Sequence, residues 1–352
     1  MRSDDERQTV RAETDIADPE KRPEMQMQVV LDRQGFGPGV IDGKMGLSTK
    51  NALRGFQEAN GIQITGEADA DTKQALAKWA DIPATRVVRI PDEWGEIEFA
   101  KLPDRAPEQA ELEALGYETL DEKLAERFHT TVAVLKTLNP DGRPAGATKP
   151  SASPTPEETK ASMTQDDERS TQSVFTAGQL IRVPNVGADR IAPDAVTDAE
   201  WKQTLQALGV GTEQPEVARI VVSEKAGTLK AFDADEKLVA LFTVTTGSEN
   251  DPLPLGEWKI NGIGHNPPFA YNPELFWDVP DDTEKQQLPP GPNGPVGVVW
   301  IDLSKEHYGI HGTPAPETIG RAQSHGCVRL TNWDAARLSE MVSNSTDVLF
   351  EA

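Results

Sequence analysis

The sequence has one cysteine, Cys327, in 352 residues, and this scarcity excludes an intramolecular disulfide. Basic residues are also few, since 35 Lys and Arg stand against 58 Asp and Glu, which gives a net charge of −23 at pH 7. Such an acidic chain is unsuited to nucleic acid or to anionic lipid, because both require a basic face. No apolar run approaches the roughly 20 residues of a membrane helix, so we expect no membrane span.

The N-terminus lacks an apolar signal core. Residues 1–24 are charged, contain Pro19 and Pro23, and have no hydrophobic periodicity, which predicts a disordered leader. The chain is therefore either cytosolic or begins after a removed signal peptide, and a single thiol is compatible with both compartments. At this length two to four domains are expected, and a hydrophobic content of 37% predicts that they are globular.

An internal repeat follows the leader, because residues 41–53 align without gaps on residues 64–76. Each half contains a glycine turn, a candidate helix N-cap (Ser48 or Asp71) and then an apolar stripe. Together with a further helix before them, these halves predict a compact three-helix domain over residues 25–80.

Four dipeptides within this domain carry a family resemblance: Asp42-Gly43, Phe56-Gln57, Asn60-Gly61 and Thr65-Gly66. Through them the domain resembles the peptidoglycan-binding domain type 1 family, which implies a peptidoglycan ligand. The alternative is a three-helix module with no ligand of its own, because most of that pattern serves the fold.

A second small unit is indicated between residues 110 and 186, after a proline-rich, extended connector at 81–108. Two short helical faces are followed by an Asn-Pro pair and, much later, by the turn and strand AGQLIRVP at 177–184. This order resembles a LysM module, a small α/β fold, with its first strand near Tyr117 and a Pro/Ser/Thr/Glu-rich low-complexity insert at 141–173. The resemblance implies a glycan-binding module, and a LysM-like fold without glycan binding is the alternative.

From residue 217 onward the sequence pattern is typical of β-strands. They are predicted at 219–223, 228–232, 238–244, 256–260, 296–303, 308–311 and 348–350. One helix, with Thr331 as its N-cap, precedes the last strand. Residues 217–351 are thus predicted to form a mainly β domain, and the whole chain a multidomain α+β protein.

The cysteine of this domain lies in residues 324–330, SHGCVRL, and a histidine lies in residues 309–313, GIHGT. Attack by sulfur on an amide carbonyl needs a thiolate, a base that forms it, and N–H groups that hold the oxyanion. His311 would take the proton from Cys327. The backbone N–H groups near Gly326 and Cys327 would stabilise the oxyanion, and the glycine would allow close approach of the backbone.

Two further side chains of this segment are candidates. His325 is placed to orient its neighbours or to add a hydrogen-bond donor. Arg329 lies two residues beyond Cys327 on the same face of a strand, where it suits bidentate binding of a substrate carboxylate. Each assignment has an alternative: Cys327 as a small buried hydrophobe, Arg329 as a structural ion-pair partner, or an incomplete zinc site formed by His311, His325 and Cys327.

The order of these motifs closely resembles the catalytic domain of the L,D-transpeptidases over about 217–351. Supporting matches lie at 254–258, 290–295 and 331–335. The resemblance implies that Cys327 is the acyl-accepting nucleophile and that His311 is its base. The remaining motif positions are His325 and Gly326, expected in catalysis, and Arg329, Ser324 and Gly312, expected to bind substrate.

The resemblance also implies a two-step acyl transfer on the stem peptides of bacterial peptidoglycan, with no metal or organic cofactor. Cys327 would form a thioester and release D-alanine, and an amine would resolve the thioester. The amine could belong to a second stem, an anchored lipoprotein or a D-amino acid. With water as acceptor the protein would be a carboxypeptidase or endopeptidase, and a non-catalytic wall-binding protein is a further alternative. Each of these implies export to the periplasm or cell wall.

Overall fold

The computed structural model describes residues 14–147, 173–187, 191–192, 194–248, 250–273, 284–322 and 326–352. Its α-helices are α1 (Pro23–Arg33), α2 (Leu47–Ala59), α3 (Ala70–Leu76), α4 (Ala106–Gln109), α5 (Leu120–Arg127), α6 (Val132–Leu138), α7 (Ala199–Leu208) and α8 (Asn332–Ser339). Its strands are β1 (Phe36–Gly37), β2 (Thr85–Arg89), β3 (Leu180–Pro184), β4 (Arg219–Ser223), β5 (Thr228–Phe232), β6 (Leu238–Thr243), β7 (Gly256–His265), β8 (Phe269–Tyr271), β9 (Gln286–Leu288), β10 (Val299–Leu303), β11 (Gly309–His311), β12 (Val328–Arg329) and β13 (Asp347–Glu351).

Part of the predicted disordered leader has defined contacts. Arg182 Nη2 donates to the carbonyls of Ile16 and Ala17 at 2.8 and 3.0 Å, and Asp18 accepts from Thr85 Oγ1 at 2.6 Å. The prediction of disorder over residues 1–24 is therefore wrong for residues 14–24. It was based on local composition, whereas these contacts are made with residues far along the chain. Residues 1–13 lie outside the described residues.

The internal repeat forms α2 and α3, and with α1 before it the domain has three helices, as predicted. In each half a buried glutamine donates to a threonine hydroxyl and accepts from the N–H of the turn glycine, which closes the turn against the preceding helix. The contacts are Gln28 Nε2 to Thr49 Oγ1 (3.1 Å), Gly43 N to Gln28 Oε1 (2.7 Å), Gln57 Nε2 to Thr72 Oγ1 (2.8 Å) and Gly66 N to Gln57 Oε1 (2.8 Å).

The N-caps of these helices differ from the predicted Ser48 and Asp71. Helix α3 is capped by Asp69, whose side chain accepts from Thr72 N at 2.9 Å. The equivalent position in the first half is Gly46, which caps α2 without a side-chain hydrogen bond. Both helices thus begin earlier than the polar residues alone indicated.

The middle unit pairs two strands that are far apart in the sequence. Strand β2 runs antiparallel to β3, with Val87 opposite Arg182, and α5 and α6 lie between them along the chain. No strand forms near Tyr117 in this described stretch, so that expectation is wrong. The strand lies instead in the segment predicted as an extended connector. Of the predicted insert at 141–173, residues 148–172 lie outside the described residues.

The seven strands predicted from 217 onward are confirmed, and together with β1 and β12 they form a nine-stranded sheet of order β1-β6-β5-β4-β13-β7-β10-β11-β12. The main core packs α7 and α8 against this sheet, with Trp201 and Trp333 fully buried. Thr331 caps α8 as predicted, because its Oγ1 accepts from Asp334 N at 3.1 Å. The helix therefore begins directly after the strand that follows Cys327.

The N-terminal helices are joined to this sheet. Strand β1 pairs parallel with β6, with Phe36 opposite Leu241. Helix α2 lies on the same strand, and a Cβ on Gly55 would be 2.8 Å from both Leu241 Cβ and Phe36 Cδ1. The three-helix domain and the β domain therefore share a core.

A buried charge cluster joins all three parts of the chain. Asp32 of α1 is 3.3 Å from His129 Nδ1 and 3.4 Å from Arg337 Nη1 of α8, and all three residues are buried. The His129 ring stacks on Trp333, with centroids 5.0 Å apart. Among the described residues, none of the helices has the length and apolar character needed to cross a membrane.

Candidate active site

Cys327 and His311 line the same cleft, which has a volume of about 880 Å³. The pairing of β11 with β12 brings them together, because these parallel strands place His311 opposite Arg329 and Ile310 opposite Val328. Cys327 directly precedes β12, and Arg329 also lines the cleft. The fold thus gathers three of the predicted site residues at one end of two neighbouring strands.

His311 is held as a neutral imidazole. It is 4% exposed, and its Nδ1 lies 2.7 Å from the carbonyl oxygen of Gly312. A carbonyl can only accept, so Nδ1 carries the proton and Nε2 is the basic nitrogen. Burial lowers the pKa of His311 to about 3, and the positive charge of Arg329 acts in the same direction. The ring of Trp300 stacks on it, with centroids 5.5 Å apart.

Cys327 is half-buried, and burial raises the pKa of its thiol above the ordinary value. A backbone hydrogen bond with Gly309 and the charge of Arg329 act in the opposite direction. The sulfur lies 3.8 Å from the carbonyl oxygen of His307, a distance suited to an S–H donor. The resting cysteine is therefore a thiol, and its attack requires a base.

The residue before Cys327 must be glycine. Gly326 has a φ of +89°, and a Cβ at this position would lie 2.4 Å from Tyr308 Cε1. The ring of Tyr308 therefore packs directly against the backbone that carries Cys327. Tyr308 also lines the cleft, and its position just before the Gly-Ile-His segment was the only signal that could have found it.

Gly312, the residue after His311, likewise has no room for a side chain. A Cβ on Gly312 would lie 2.2 Å from Oδ1 of Asn332, the first residue of α8. The amide of Asn332 is held by its Nδ2, which donates to Glu126 Oε1 at 2.7 Å and to Pro292 O at 3.0 Å. Asn332 is thus a supporting residue that the sequence indicated only as part of the match at 331–335.

The backbone of Arg329 is held by two hydrogen bonds to the backbone of Thr245. Thr245 N donates to Arg329 O at 3.1 Å, and Arg329 N donates to Thr245 O at 2.9 Å. Its charge influences the pKa of both His311 and Cys327. The side chain therefore contributes positive potential at His311 and Cys327.

The predicted site residues Ser324 and His325 lie outside the described residues. The alternative zinc site requires His325, so it too depends on a residue outside the described part of the chain.

Comparison with known proteins gives two family matches. Residues 217–349 match the model of the L,D-transpeptidase catalytic domain, and residues 25–76 match the model of a peptidoglycan binding domain. These matches confirm two of the resemblances seen in the sequence, those of the catalytic domain and of the N-terminal domain.

Individual relatives carry the same family name. The chain is 35% identical over 130 residues to a protein of Bacillus licheniformis named L,D-transpeptidase YkuD, a match that covers 37% of this chain and 63% of that protein. It is 53% identical over 57 residues to the protein of that name in Bacillus subtilis, covering 16% of this chain and 35% of that one. The matches thus span less than two thirds of either relative.

Among solved structures, an L,D-transpeptidase from Mycobacterium smegmatis is similar over 39% of this chain and 59% of that chain. The two are 22% identical, with a TM-score of 0.32.

Proposed function

We propose that this protein is a peptidoglycan L,D-transpeptidase that uses Cys327 as its nucleophile. The observation that carries the proposal is the neutral His311 in the same cleft as a thiol, with Nδ1 committed to the Gly312 carbonyl and Nε2 left as the base. The match of residues 217–349 to the L,D-transpeptidase catalytic domain supports it.

In the first step His311 Nε2 takes the thiol proton, and the sulfur attacks the carbonyl of the stem-peptide amide before the terminal D-alanine. The backbone N–H groups near Gly326 and Cys327 stabilise the tetrahedral oxyanion. The C–N bond breaks, the departing amine of D-alanine takes the proton from His311, and a thioester remains on Cys327.

In the second step an amine acceptor attacks the thioester carbonyl. A C–N bond forms, the C–S bond breaks, and the proton of the amine returns through His311 to the sulfur. A neighbouring stem as acceptor gives a 3→3 cross-link, while a protein amine gives an anchored lipoprotein and a D-amino acid gives an exchanged stem.

We assign the other motif residues to binding and positioning the substrate. Arg329 suits a carboxylate of the stem peptide because a guanidinium binds carboxylates bidentately. Ser324 and Gly312 would bind the peptide backbone, and His325 would orient the nucleophile's surroundings.

The front modules would tether the enzyme to its polymer. The N-terminal domain matches a peptidoglycan binding domain, and we assign the middle unit, in which α5 and α6 precede β3, to a LysM-like module. Tethering to an insoluble polymer raises the local concentration of stem peptides. We place the protein at the cell wall, in the periplasm where one exists, with a role in wall biogenesis and cell shape.

Product analysis on purified disaccharide-tetrapeptide stems tests this function. We expect Cys327-dependent release of D-alanine and 3→3 dimers, and exchanged stems when a D-amino acid is added. Tripeptide alone, with no dimer or exchange product, would assign the protein as a carboxypeptidase. Unchanged stems with the folded wild-type protein would favour a non-catalytic wall-binding role.

A further inference from the structure

The wall of the catalytic cleft is not built by the catalytic domain alone. Three residues that line it, Asp104, Ala106 and Gln109, belong to α4 and the turn before it. They lie outside both family matches, which cover residues 25–76 and 217–349. The cleft that holds Cys327 is therefore completed by a segment from elsewhere in the chain.

This segment is fixed to the catalytic domain by backbone hydrogen bonds in both directions. Leu115 N donates to Pro290 O at 2.8 Å, and Asn293 N donates to Leu115 O at 3.0 Å. A Cβ on Gly291 would lie 2.1 Å from Leu115 O, so the two segments are in direct contact. Leu115 itself is fully buried. The wall is thus a docked element rather than a loop that happens to lie nearby.

Side-chain contacts reinforce this attachment. Asn293 Nδ2 donates to Gly116 O at 2.9 Å and to Glu122 Oε1 at 2.7 Å. At the cleft itself, Gln109 Nε2 donates to Pro103 O at 2.8 Å, which holds α4 against the turn that carries Asp104. The position of Asp104 is therefore set by the contact between α4 and its preceding turn and by the docking of the chain that follows α4.

The lining of the cleft carries charges of both signs. Asp104 presents an exposed carboxylate from the α4 wall, whereas Arg329 and Cys327 lie on β12 and directly before it. The other charged residues of the lining, Asp251, Lys305 and Glu306, belong to the domain that carries Cys327. A ligand that carries both an ammonium and a carboxylate matches this separation of charge, with the carboxylate toward Arg329 and the ammonium toward Asp104. Amino-acid termini and side chains of stem peptides have this character.

We propose that Asp104, presented by α4, is a specificity-determining residue that binds the ammonium group of a stem peptide in the catalytic cleft. The inference rests on the proposed function of Cys327. The ammonium is the side-chain ammonium of the donor stem, which takes no part in bond formation, so Asp104 acts before the thioester forms. No covalent step involves Asp104.

The test is a comparison of Asp104→Asn and Asp104→Lys with a matched control, Glu113→Gln. Glu113 is an exposed carboxylate of the same segment that does not line the cleft. Each protein is assayed for acylation, followed as release of D-alanine, with a donor stem peptide whose side-chain amine is intact and with the same peptide after N-acetylation. The readout is the ratio of kcat/KM for the two donor peptides, since N-acetylation would remove the attacking amine of an acceptor.

In wild type and Glu113→Gln we expect the intact peptide to be favoured by about three- to ten-fold, the range of a partly solvated charge pair. In Asp104→Asn this ratio falls toward one, and in Asp104→Lys it inverts. Equal ratios in all four proteins would overturn the proposal.

The proposed function is checked separately by acylation of the wild-type thiol with a β-lactam. Absence of that adduct would contradict the role of Cys327, whereas an adduct together with equal peptide ratios would contradict only the role of Asp104.

Discussion

Asn332 Nδ2 donates to Glu126 Oε1 at 2.7 Å, a hydrogen bond between residues 206 positions apart in the sequence. It links α5 of the middle unit to the first residue of α8, whose amide oxygen occupies the space beside Gly312. The backbone that orients His311 is therefore supported from outside the catalytic domain. Glu126 is buried, and this burial raises its pKa to about 7.

The raised pKa of Glu126 predicts a specific dependence of stability on pH. The folded protein binds this proton more tightly than the unfolded chain, so the contribution of Glu126 to stability is full below the ordinary pKa of 4.5 and is lost as the pH rises through about 7. We expect the stability of wild type relative to Glu126→Gln to fall by on the order of 3 kcal/mol between these limits. Urea unfolding of both proteins at several pH values measures this difference, and a flat difference would show that Glu126 titrates normally.

The buried cluster of Asp32, His129 and Arg337 predicts a large penalty for removing its cation. Burial alone would raise the pKa of Asp32, but the charges of Arg337 and His129 hold it below its ordinary range. Arg337→Leu leaves Asp32 buried without its main counter-charge, so we expect a loss of about 3–5 kcal/mol. Denaturant titration measures the loss. Adding Asp32→Asn should restore part of it, and additive losses in the double variant would argue against a direct interaction.

Close contact between α2 and β6 predicts that Gly55 tolerates no large side chain. A leucine at this position must displace Leu241 or Phe36, since a Cβ would already lie 2.8 Å from each. We expect Gly55→Leu to destabilise the protein by about 1–3 kcal/mol and to loosen the N-terminal helices from the sheet. Thermal unfolding and limited proteolysis report both effects. Gly116→Ala is the control, because a Cβ there meets nothing within 4 Å, and equal stability of the two variants would contradict the close packing.

The pKa directions of the reacting groups predict how acylation depends on pH. Burial raises the pKa of Cys327 and lowers that of His311 to about 3, so the neutral thiol and the neutral imidazole prevail at pH 7. Because His311 accepts the proton of the neutral thiol, the acylation rate should vary little between pH 6 and 8, without an ionisation near the ordinary histidine pKa of about 6.5. Stopped-flow acylation by a β-lactam gives the profile. Thiolate absorbance, taken as wild type minus Cys327→Ser, should rise only at alkaline pH, and a thiolate already formed at pH 6 would contradict this arrangement.

Local patterns in the sequence predicted the elements that local physics determines. The strand bounds of Arg219–Ser223 and Thr228–Phe232 follow from β-branched and apolar runs between turns, and Thr331 caps its helix as its sequence position indicates. The Cys327 and His311 pair was visible because two motif segments carry it. These features depend on neighbours within a few residues.

The features that the sequence did not reveal depend on distant partners. Thr85–Arg89 becomes a strand because Leu180–Pro184 pairs with it. The sequence near residue 85 does not indicate which segment is its partner. Asp104 reaches the cleft only because the chain around Leu115 docks on the loop at Pro290. Periodicity and capping rules describe a segment, not the surface against which it packs.

Intact-protein mass spectrometry of the acyl-enzyme tests the central claim most directly. Wild-type protein incubated with a β-lactam or a tetrapeptide stem should gain one acyl mass, located by peptide mapping on Cys327. Cys327→Ala should gain none while unfolding at a similar temperature, and His311→Gln should acylate about 10²–10⁴-fold more slowly. An adduct of the same mass on Cys327→Ala, or none on the folded wild-type protein, would contradict the account.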